Sequence, residues 1–74
     1  MGQLARGETT WEVYVEFEFP PDDGTVRGRI HFVHGDRHRQ SAWVFLERTQ
    51  KEVQERFNDF SANELWNLVE SLVP

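Results

Sequence analysis

Trp11-Glu12-Val13-Tyr14-Val15-Glu16-Phe17-Glu18-Phe19 alternates large apolar residues with mostly acidic ones. A period of two sends successive side chains to opposite faces of an extended chain, so the stretch predicts a β-strand with one buried and one wetted face. The strand is expected from about Thr10 to Phe19. Pro20-Pro21-Asp22-Asp23-Gly24 ends it, because proline supplies no amide donor and Asp-Gly favours a turn.

Outward from that strand, a second is expected from about Thr25 to His34 and a third from about Arg37 to Glu47. Between them, His34-Gly35-Asp36-Arg37 reads as a hairpin with a two-residue loop, Gly35 taking the first central position, where φ is positive. A slip of one residue between antiparallel strands turns every side chain to the wrong face, so register can be argued from the pattern. Pairing Phe17 with Val26, Val13 with Ile30 and Trp11 with Phe32 gathers the apolar side chains on one face. It sets Glu16 against Arg27 and Glu12 against His31 on the other. The two-residue turn then puts Trp43 opposite Gly28 and Phe45 opposite Val26, with the indole covering the gap left by the glycine. Ala42, Val44 and Leu46 fall on the opposite face, next to Tyr14 and Val33. A three-residue turn would bury Val44 and Leu46 instead.

Two helices follow. Thr49-Gln50-Lys51-Glu52 and Ser61-Ala62-Asn63-Glu64 each fit the capping box, in which hydroxyl and carboxylate satisfy orphan backbone amides reciprocally. The first helix should run from about Gln50 to Asp59, with a narrow apolar stripe of Val53, Phe57 and Phe60. In the second, Ala62, Leu65, Trp66, Leu68, Val69, Leu72 and Val73 cover about half the circumference, so it is expected to be the more deeply buried or to meet a partner. Residues 1–9 are small, polar and patternless and are expected to form a flexible N-terminal tail, leaving residues 10–74 as a single domain. The expected fold class is α+β: a three-stranded antiparallel meander followed by two helices packed on one sheet face, in the order βββαα.

Composition narrows the function classes. A chain of 74 residues buries only about 60% of the surface its unfolded form exposes, so its stability needs a specific source. There is no cysteine to form disulfides or a thiolate metal site, which points to a reducing cytoplasm; three Trp, six Phe and one Tyr supply apolar area instead. No apolar run approaches the roughly 20 residues of a membrane span, and the N-terminus carries no apolar targeting segment. The net charge of -5 is unevenly spread: residues 1–24 set Arg6 against six acids, whereas residues 25–46 set four arginines against Asp36. Segments of opposite sign pair with one another first, and the acidic total disfavours nucleic acid.

Four groups of residues bear on function. His31, His34, His38 and Asp36 have metal-ligand chemistry, but the hairpin puts His34 on the other side from His31 and His38, so no metal site or cofactor is assigned. Arg27, Arg29, Arg37 and Arg39 would serve a small nucleic-acid-associated protein, the alternative reading, although Glu12, Glu16 and Glu18 lie beside them. No nucleophile-base arrangement or phosphate loop occurs, and the Asp22-Asp23 pair sits in a turn with no burial to raise a pKa, so the chain is not read as an enzyme. Tyr14, Val33, Val44 and Leu46 are surplus to one core, and surplus apolar surface marks an interface. The leading expectation is a small non-enzymatic interaction or regulatory module, acting as a homodimer or bound to a larger protein through those four residues.

Overall fold

A computed structural model describes residues 2–72 of the chain; Met1, Val73 and Pro74 lie outside the described residues, and with them one apolar position expected for the last helix. In chain order the elements are β1 (Gly2–Arg6), β2 (Thr9–Glu18), β3 (Val26–His34), β4 (Arg37–Gln40), β5 (Phe45–Glu47), α1 (Gln50–Asn58) and α2 (Ala62–Ser71). The strands form one antiparallel sheet in the order β1-β2-β3-β4, with β5 pairing to the remaining length of β3. The fold is α+β, as the periodicity predicts. Three details differ, each for a local reason.

The N-terminal residues read as a tail contain a strand. Leu4 lies opposite Trp11 and is almost fully buried, and Gly7, at φ 61°, turns the chain between β1 and β2. A five-residue strand with a single large apolar side chain carries no alternation to read. Its order comes from the ladder that β2 offers, and from Arg6, whose guanidinium lies 4.6 Å from the centre of the Trp66 ring.

The pairing of β2 with β3 is displaced by two residues from the expected one. Val13 faces Phe32, Val15 faces Ile30 and Phe17 faces Gly28. An even slip keeps every side chain on its expected face, so the apolar pattern alone does not distinguish the two registers. The connection decides it. The Asp23 carboxylate accepts from both the amide and the hydroxyl of Thr25, and Gly24 takes φ 66°, fixing where β3 begins. Glu16 therefore pairs with Arg29 instead of Arg27, and His31 faces Tyr14 instead of Glu12.

The expected third strand is broken. Its hairpin forms as read, with Gly35 at φ 62° and His34 paired with Arg37. After Gln40 the chain leaves the ladder and rejoins it two residues out of step, so that Phe45, and not Trp43, covers Gly28. Ser41 manages the break. Its amide donates to the Ile30 carbonyl, and its hydroxyl accepts from the Ile30 amide, each at 2.9 Å, so the fully buried Ile30 loses no hydrogen bond where the strand departs.

Both helix starts are where the capping residues place them. Ser61 and Glu64 form the complete reciprocal box, while Thr49 accepts from the Glu52 amide at 3.1 Å. The helices cover one sheet face, and the core between the layers is built from Leu4, Trp11, Val13, Ile30, Phe32 and Phe45 of the sheet with Val53, Phe57, Trp66 and Val69 of the helices. Full burial of residues such as Ile30, Phe32 and Val53 contributes about 1.5–3 kcal/mol each. α2 is no more deeply buried than α1: each buries two side chains, and Leu65 and Leu68 stay partly exposed. What holds α2 in addition is Arg39, which donates from Nη1 to the Val69 carbonyl at 2.7 Å and lies 5.2 Å from the Trp11 ring centre. A cation at a helix C-terminus meets the negative end of the helix dipole.

Candidate functional site: the open face of the sheet

Opposite the helices, β2 and β3 present their remaining side chains in rows that run across the sheet. Glu18 lies beside Arg27 and then Leu46; Glu16 beside Arg29; Tyr14 beside His31 and then Gln40; Glu12 beside Val33 and then His38. The break after Gln40 brings Trp43 onto this face, where the Arg29 guanidinium lies 4.3 Å from its ring centre. Trp43 is half-buried there. Its expected place in the core is taken by Phe45.

Glu16 is the hub. One of its oxygens accepts from Arg29 Nε at 2.7 Å and from His31 Nε2 at 2.6 Å. These two hydrogen bonds, that of Arg29 first, hold the Glu16 carboxyl below the usual carboxylate range. An ionised carboxylate only accepts, so His31 Nε2 carries a proton. The other nitrogen of the same ring, Nδ1, lies 2.7 Å from His38 Nε2, the ring centres 5.0 Å apart and the planes 23° from parallel. So close a nitrogen contact between nearly coplanar rings is an edge-to-edge hydrogen bond with one proton between the nitrogens, not a face-to-face stack. Tyr14 flanks His31, its ring centre at 5.9 Å. The side chains leave His31 only 9% exposed on the uncovered side of the sheet.

The carboxylate–imidazole–imidazole chain ends at the exposed His38. It can take up and shift a proton at the surface. It incorporates no nucleophile.

The expected interface residues divide. Tyr14, 39% exposed, and Leu46, 62% exposed, lie on the open face with the half-buried Val33. Val44 does not join them: it lines a cleft of about 410 Å³ at the helix side of the sheet, with Phe45, Arg56 and Phe60. Trp43 belongs to the face, against the expectation of an uninterrupted third strand that turns it inward; the polar Gln40-Ser41 pair ahead of it is the sign of a break.

The four arginines do not make one basic surface. Arg27 and Arg29 are on the open face, the first near Glu18 and Asp23 at 3.6 and 3.9 Å. Arg37 and Arg39 are on the helix side, both over Trp11. The histidines separate as the hairpin requires, with His34 Nδ1 donating to the Thr10 carbonyl on the helix side at 2.8 Å. Among the described residues no three His, Asp or Glu side chains are grouped to hold a metal ion, and no helix is long and apolar enough to cross a membrane. In comparisons with protein-family models, curated proteins and solved structures, the chain matches none.

Proposed function

We propose that the chain is a non-enzymatic protein-interaction module of the cytoplasm that acts as a homodimer, two copies packing open face against open face. The observation that carries this reading is the exposure of Tyr14 and Leu46, with Trp43 resting on Arg29, on the sheet face that the helices leave uncovered. Aromatic side chains and arginine are the residue types that dominate interface energetics, and this face offers both. Its charges also suit a second copy: Glu12, Glu16 and Glu18 stand in a column on β2, and Arg27 and Arg29 in the adjacent column on β3. A twofold axis lying between the two faces and running along the gap between these columns lays acids of one copy over bases of the other, and twofold dimers are the commonest assemblies.

Sedimentation equilibrium tests the reading on the wild type and on a Tyr14→Ser, Leu46→Lys double variant. A wild-type dimer and a folded monomeric variant are expected. A wild type monomeric at about millimolar concentration, or a variant that dimerises as well as the wild type, overturns the proposal.

A further inference from the structure

We propose that the open face is a proton-gated contact: a second proton on the His31–His38 pair separates the two rings and drives a face-to-face dimer apart. The inference rests on the homodimer reading above. It starts from the 2.7 Å contact between His31 Nδ1 and His38 Nε2, which has room for one proton. With His31 Nε2 committed to Glu16, the neutral pair has His38 as donor and His31 Nδ1 as acceptor. A first added proton leaves that bond intact, because whichever ring is cationic still donates to the other. A second places two N–H groups against each other at a distance only a hydrogen bond allows. The contact must open.

The surroundings determine which ring moves. His31 is faced by Tyr14, Glu16 and, diagonally, Glu12 from β2, by Arg29 on its own strand and by His38 and Gln40 from β4. Glu16 and Arg29 offset each other in charge, and the hydrogen bond between His31 Nε2 and Glu16 holds His31 in place from the β2 side. His38 lies next to Val33 and near Asp36, on a four-residue strand at the sheet margin, and is exposed. His38 is therefore the ring that swings into water. A copy packed on this face closes that exit and keeps water from the displaced imidazolium.

The dimer then binds fewer protons than two separate chains, and by linkage its dissociation constant rises as pH falls. The sign follows from that difference alone. Imidazole is the side chain whose ordinary charge change falls between about pH 8 and about pH 5, so that is the range to scan.

The experiment measures the dimer dissociation constant by sedimentation from about pH 8 to about pH 5 for the wild type and for His38→Gln, whose amide can bond His31 but does not titrate. The wild-type constant is expected to rise at least about tenfold, the equivalent of one proton over one pH unit, and that of His38→Gln to stay nearly level. In parallel, nitrogen-15 spectra of the wild type, diluted until it is monomeric, should show the His31 Nδ1–His38 Nε2 hydrogen bond lost at the acid end. A wild-type dimer with a level constant, or a His38→Gln variant with the full wild-type slope, overturns the gate and leaves the dimer standing. A wild type monomeric at every pH overturns the dimer, and the gate with it.

Discussion

Phe45 faces Gly28 across the β3–β5 ladder, and the space that a Cβ on Gly28 would need is held by Val53, whose Cγ1 would lie 2.5 Å from it. Phe45 itself would come within 3.2 Å of that atom. A glycine inside a strand usually costs stability through its unfolded-state freedom, so Ala is normally the better residue. Here crowding wins. Gly28→Ala is expected to destabilise the fold by about 1–3 kcal/mol, read as a lower urea midpoint with unchanged slope, and an equal or higher midpoint would show that α1 does not press on β3 at this point.

The same place distinguishes two aromatic residues that are neighbours but one in sequence. Phe45→Ala should cost about 3–5 kcal/mol, enough to unfold much of the population of so small a domain. Trp43→Ala should cost far less, since the indole rests on Arg29 at the surface. If urea denaturation ranks the two the other way, the third strand continues without a break and Trp43 is the core residue.

The strand pattern, the hairpin at Gly35 and both capped helices were legible because each is written in local chemistry: alternation, a positive-φ glycine, a hydroxyl three residues before a carboxylate. The break at Ser41 was not. It depends on a serine hydroxyl standing in for a backbone carbonyl, and nothing in a single strand's sequence reveals which partner amide it will serve. β1 escaped for a related reason, since its order is lent by β2. Half of the candidate face was readable too: the parity of β2 and β3 assigns Tyr14, Val33 and the glutamates correctly, whereas the Glu16–His31–His38 chain depends on a two-residue offset that parity cannot detect.

Ser41→Ala removes the acceptor of the Ile30 amide while leaving that amide fully buried. An unsatisfied buried donor costs about 1–3 kcal/mol. Hydrogen exchange offers the sharper measurement: the Ile30 amide should exchange faster relative to its β3 neighbours than overall destabilisation explains. Unaltered relative protection would mean that the hydroxyl is not its partner.

Ser61→Ala should lower stability by about 0.5–2 kcal/mol, because the substitution orphans the Glu64 amide that the hydroxyl now satisfies at 3.1 Å. Circular dichroism during urea denaturation measures this, and a midpoint equal to that of the wild type would move the start of α2 elsewhere.

Acid should weaken the fold in part through Glu16. Its carboxyl is held low by Arg29 and then His31, so its contribution is fully present above the unfolded range near about pH 4.3 and is lost as pH falls through the lower folded value. Glu16→Gln should therefore be less stable at neutral pH and lose less on acidification. Some acid slope should persist, because Asp23 and Glu64 are also held low, the first by Thr25 and the second by Ser61. Thermal unfolding at a series of acidic pH values tests this, and parallel curves for the two proteins would exclude Glu16 as a contributor.

The interrupted outer strand has one further effect. Among the described residues the sheet's outer strands have five, four and three residues, and β2 adds to the margin only over Tyr14–Glu18, beyond the end of β1. An unbroken margin would offer neighbouring molecules a long row of free amides and carbonyls, the template on which sheets extend from chain to chain without limit. By stepping out of line at Ser41, the chain shortens that template along its outer margin. The irregularity that obscures Trp43 in the sequence therefore also works against fibre growth.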